Sequence, residues 1–92
     1  MAALAQSVPQ EAAVADLLGT LELPKGVRLR KVFFDTDWSG DPAIRIVFVN
    51  SLKYPLTKQR IDLLSDLMVR AARLVNAAWP DHFAYVTFDE AK

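Results

Sequence analysis

The chain has 92 residues, 52% of them hydrophobic, with no cysteine, one histidine, and eleven basic side chains against eleven acidic ones. That length suits one domain spanning residues 1–92, and a formal charge of zero withholds the bulk attraction on which generic nucleic-acid and anionic-membrane binders rely. The lack of cysteine excludes a disulfide framework, a thiolate zinc site and a cysteine nucleophile. No run approaches the ~20 apolar residues of a membrane span and Met1–Ala5 lack a basic flank, so a cytoplasmic protein with no membrane partner is expected.

In chain order, Ser7-Val8-Pro9-Gln10 offers a capping residue, an early proline and a Ser-x-x-Gln box, which predicts a helix to about Gly19. Its apolar positions Ala13, Val14, Leu17, Leu18 and Leu21 recur at helical spacing. Leu23-Pro24-Lys25-Gly26 breaks the pattern, and a strand is expected from Val27 to Asp35. Turn formers fill Asp35 to Pro42, then β-branched and aromatic residues predict a second strand, Ala43 to Asn50, paired with the first as a hairpin. Pro55 marks a boundary and Thr57 a cap, after which a long helix runs from Lys58 to about Trp79. Pro80 and Asp81 stop it, and Phe83 to Phe88 reads as the last strand. The fold predicted is α+β, a two-layer sandwich of order α-β-β-α-β, with a three-stranded, mainly antiparallel sheet and both helices on one face.

On a helical wheel the long helix puts Lys58, Asp62, Ser65, Asp66, Arg70, Arg73 and Asn76 on one side. Ile61, Leu64, Leu67, Met68, Ala71, Leu74, Val75 and Ala78 form the apolar arc. The strands lack the clean alternation of a sheet with one wet side. Phe33 and Phe34 must face opposite ways, Ile44, Ile46 and Phe48 share one face, and Val47 and Val49 share the other with Arg45. If the helices cover one face, then Phe33 or Phe34, Val47, Val49, and Phe83 with Tyr85 remain on the other. Leaving such side chains wet forgoes roughly 1.5 to 3 kcal/mol each, so a second layer is expected there. The most economical one is a second copy, sheet to sheet or edge to edge; the alternative is that the N-terminal segment or a loop folds over.

No catalytic or cofactor constellation stands out, and neither a cofactor nor a resident metal is expected. Val32-Phe33-Phe34-Asp35-Thr36-Asp37-Trp38, an apolar strand ending in Asp-x-Asp, resembles the first motif of haloacid-dehalogenase-type phosphotransferases, but the hairpin that follows departs from that family's parallel sheet. Read as a calcium loop, Asp35, Asp37 and Ser39 fall at positions one, three and five, whereas position twelve is Ile46 in place of a glutamate. Turn chemistry explains these aspartates better. His82 alone supports no multi-histidine site, and no serine lies in a Gly-x-Ser-x-Gly setting.

Two binding surfaces emerge. The first is a protein-binding patch of Phe33, Phe34, Val47, Val49 and Tyr85 beside Trp38, a large aromatic at a loop tip that either folds back on the sheet or anchors a partner. The second is a basic strip of Arg28, Arg30, Lys31 and Arg45 on the hairpin, suited to nucleic acid. The element order resembles that of KH-type RNA-binding modules, without their Gly-x-x-Gly loop, and that of the dimerising cytoplasmic domains of cation-efflux transporters, without their ligand histidines. The function expected is a non-enzymatic interaction or assembly subunit, a homodimer or small homo-oligomer with a further protein partner; a nucleic-acid-binding module is the alternative.

Overall fold

The computed structural model describes residues 11–91, so the expected Ser7–Gln10 helix start lies outside the described residues. Five elements follow one another: α1 (Glu11–Leu18), β1 (Val27–Thr36), β2 (Pro42–Ser51), α2 (Lys58–Ala78) and β3 (Phe83–Ala91). The α+β class and the α-β-β-α-β order are as the sequence predicts. The sheet runs β1-β2-β3, with β1 antiparallel and β3 parallel to the central strand. A parallel neighbour needs a crossover, and α2 supplies it.

Local chemistry fixes the boundaries. Thr57 caps α2, its hydroxyl accepting from the Arg60 amide at 3.1 Å, and Trp79 closes the helix with its amide on the Val75 carbonyl. Gly26 enters β1 at φ +83°, and a Cβ there would collide with the Tyr54 ring, so only glycine fits. The last strand is longer than predicted, continuing through Asp89 and Glu90 in register with Val49 and Asn50.

One apolar cluster joins Val14 and Leu18 of α1, Leu64, Leu67, Ala71 and Val75 of α2, and Ile44, Ile46 and Phe48 of β2. Phe48 stacks on Phe88 at 5.6 Å. The buried arc of α2 is narrower than the predicted one. Arg60 is only 7% exposed, while Ile61 and Met68 of the expected arc are exposed. Buried charge is costly unless it is well hydrogen-bonded. Arg60 engages Nε and Nη2: they donate to Asn50 Oδ1 at 2.9 and 2.6 Å, Nη2 also reaches the Lys25 carbonyl at 2.7 Å, and the Tyr54 ring lies 4.7 Å from the guanidinium. Asn50 completes the network by donating to the Tyr54 carbonyl at 3.1 Å. The start of β1, the end of β2 and the first turn of α2 are thereby tied at one point.

Candidate interaction surfaces

The face of the sheet away from that cluster is built in cross-strand rows. From the hairpin end they are Asp35, Ala43 and Phe83; then Phe33, Arg45 and Tyr85; then Lys31, Val47 and Thr87; then Arg28, Val49 and Asp89. Between the last two rows the register shifts, because Leu29 pairs with Phe48 while Lys31 pairs with Val47, leaving Arg30 as the extra residue of a β-bulge. The bulge switches the inward positions of β1 from Val27 and Leu29 to Val32 and Phe34. Phe34 therefore packs against the helix-side cluster and Phe33 stands on the opposite face, so the two phenylalanines belong to different surfaces.

Val47 and Val49 lie on this second face, yet they are only 7% and 3% exposed. No described element forms a second layer over them. Long side chains from the flanking strands reach across this face. Arg30, aimed across the sheet by the bulge, reaches over the central strand to Asp89, its Nη1 donating to Oδ2 at 2.8 Å. Lys31 Nζ sits 4.9 Å from the Phe33 ring and the Arg45 guanidinium 4.8 Å from the Tyr85 ring, with Arg45 Nε 3.7 Å from Asp35. The expected protein-binding patch and the expected basic strip are thus one surface: Phe33, Val47, Val49 and Tyr85 form its floor, and Arg28, Arg30, Lys31 and Arg45 its charged cover.

Trp38 does not fold back. It is 97% exposed, at the tip of a loop that is itself tightly bonded. Asp37 Oδ1 accepts from the Ser39 amide at 2.9 Å, the Ser39 hydroxyl at 2.7 Å and the Asp41 amide at 2.9 Å, while the Asp37 amide donates to the Asp41 carbonyl at 2.8 Å. Gly40 closes the turn at φ +87°. The Ser39 hydroxyl foremost, with the Asp41 and Ser39 amides and a lesser contribution from the Tyr85 hydroxyl, holds the Asp37 carboxyl below its ordinary value against the desolvation of its site. Turn chemistry occupies these oxygens, and among the described residues no three metal-ligating side chains cluster. Phe83, also exposed, begins β3 at this same end of the sheet, with its ring 6.3 Å from that of Tyr85.

Sequence reasoning missed Arg60, although its place four and seven residues before Leu64 and Leu67, inside the apolar arc, marks it. His82, which the sequence reads as a turn residue too isolated for a multi-histidine site, has its Nδ1 buried without a partner among the described residues, beside a hollow of about 250 Å³ lined by Asn76, Pro80, Asp81 and Phe83. No described helix is long and apolar enough to cross a membrane. Comparison with protein-family models, with curated proteins and with solved structures gave no significant match.

Proposed function

We propose that this chain is a small, non-enzymatic cytoplasmic assembly subunit that self-associates through its sheet and presents the Trp38 loop to a further protein. The observation that carries the reading is the display of Trp38: a nearly fully exposed indole on a loop whose backbone is held by its own hydrogen bonds. Covering such a ring is worth on the order of 3 kcal/mol, and a pre-ordered loop loses little entropy when it binds. The cysteine-free composition suits a reducing compartment.

Sedimentation equilibrium of the full chain from low to high micromolar concentration tests self-association. A reversible rise above the 10.3 kDa monomer mass is expected, and a constant monomer mass contradicts it. For the loop, a photo-reactive amino acid in place of Trp38 is expected to give a discrete adduct in cells that the same group in place of exposed Asp62 does not. Equal labelling at both positions removes the anchor.

A nucleic-acid-binding reading has one observation in its favour, the gathering of Arg28, Arg30, Lys31 and Arg45 with Phe33 and Tyr85 on one surface. It ranks second because Arg30 and Arg45 already have carboxylate partners and both rings are already topped by cations. Tight, salt-sensitive RNA or DNA binding that falls when Arg28 and Arg30 become alanine reverses the ranking.

A further inference from the structure

We infer that the partner at the sheet edge is a second copy of this chain, joined β3 to β3 in antiparallel fashion about a two-fold axis at Thr87; this rests on the self-association proposed above. An edge strand exposes unpaired N–H and C=O groups, and proteins blunt such edges with bulges, prolines, lysines or a covering segment. Among the described residues β3 has none of these. It contains no proline, glycine or lysine, pairs with β2 without a register shift, and carries no charge from Phe83 to Phe88. No turn or loop backbone among the described residues hydrogen-bonds to it. Nine residues at ~3.3 Å each make an edge about 30 Å long, uncovered by any described residue.

The layer above this edge is apolar too. α1 packs on β1, while α2 packs on β3 and on α1. The flank of α2 that carries Leu63 and Arg70 lines a hollow with Glu22, Pro24 and Lys25, next to the α1–β1 connection. The opposite flank, with Ile61 and Met68 seven residues apart and both exposed, therefore lies toward the free edge of β3. A partner strand there extends the sheet beneath an apolar ledge.

Charge and symmetry select the occupant. Pairing about Thr87 sets all nine residues of each strand against one another, with Thr87 facing the partner's Thr87, Val86 facing the partner's Phe88 and Tyr85 facing the partner's Asp89. Thr–Thr and aromatic–β-branched pairs are favourable cross-strand neighbours. The Arg45 guanidinium already lies over the Tyr85 ring, so the partner's Asp89 arrives beside a cation. The other edge does not offer this. Two copies of β1 would have to pair across the Arg30 bulge, which interrupts the ladder, and β1 on β3 is a head-to-tail contact that gives no two-fold dimer.

The test uses the absence of native cysteine. In Thr87→Cys the two-fold brings the new thiols together at a Cα separation of ~4.5 to 5.5 Å, within disulfide range. Mild oxidation of the full chain should give a covalent dimer at least tenfold faster than in Lys31→Cys, whose residue is exposed on β1. Thr87→Lys, which sets like charges across the axis, should raise the dimer dissociation constant tenfold or more while leaving the circular dichroism of the dilute protein unchanged. If wild-type protein dimerises but Lys31→Cys cross-links equally fast, or Thr87→Lys dimerises normally, the edge assignment is overturned and self-association stands. If wild-type protein is monomeric at every concentration, both fall; protection of the outer β3 amides in that monomer would show that the chain's own N-terminal segment covers the edge.

Discussion

The two edges of this three-stranded sheet are treated in opposite ways. β1 is interrupted by the Arg30 bulge and lined with Arg28, Arg30 and Lys31, whereas β3 is regular and uncharged over its first six residues. Both carry comparable lengths of backbone, so strand length cannot account for the difference. A bulge twists the ladder and side-chain charge keeps another strand off; β1 carries both devices, and among the described residues β3 carries neither over Phe83–Phe88. The same bulge aims Arg30 at Asp89 and roofs Val47 and Val49, so closing the β1 edge and covering the second face are one structural event. Two valines that look in sequence as if they need a cover are buried, whereas the β3 edge carries none of these devices over Phe83–Phe88.

The largest expected effect comes from breaking the point that holds β1 in place. Arg60→Ala strands Asn50 Oδ1 and the Lys25 carbonyl inside the fold, which should cost about 3 kcal/mol in denaturant-monitored stability. Loss of under 1 kcal/mol would mean the network contributes little to anchoring the β1 side. The next variant erases the contrast itself. Deleting Arg30 makes β1 regular and removes the Arg30–Asp89 strap, which as an exposed pair is worth roughly 0.5 kcal/mol. Its main consequence should be a second sticky edge, seen in light scattering as species larger than a dimer; unchanged assembly would show that the bulge protects nothing.

Smaller effects belong to the hairpin end and the helix surface. The Asp37 carboxyl is held below its ordinary value, so its bonds stabilise the loop at pH above the unfolded carboxylate range and are lost as pH falls through the lower folded value. Amide exchange at Ser39 and Asp41 should quicken as pH drops below ~4 relative to that of the central strand, whereas Asp37→Asn should show no such transition. Asp66→Ala removes the exposed Arg70 pair at 2.8 Å and should change stability by only about 0.3 to 0.5 kcal/mol.

Much of the fold was legible because its punctuation is local. Thr57, Gly26, Pro42 and Pro80 mark boundaries through their own backbone chemistry, and Asp66 with Arg70 form the pair that their spacing predicts. The end of β3 was hidden by Asp89 and Glu90, whose charge resembles a tail although Asp89 is held by a residue 59 positions away. The bulge was harder to see. Inward residues at odd positions 27 and 29 and even positions 32 and 34 carry the trace of an extra residue, but adjacent Phe33 and Phe34 obscure which parity is the inner one. Arg60 lay on the apolar arc of α2, and only the partners brought by Asn50 and Lys25 explain why a charge sits there. Trp38 stands out in the sequence as a large aromatic among turn formers, and its outward orientation depends on packing that residue types alone do not fix.

The most direct measurement of the central claim is residue-resolved amide exchange across a concentration series. The account predicts that the outward-facing amides of Phe83–Ala91, alternating along the strand, gain protection as concentration rises, while the outward amides of β1 exchange at a constant rate. Protection that appears on β1, or on neither edge while the mass increases, would contradict it.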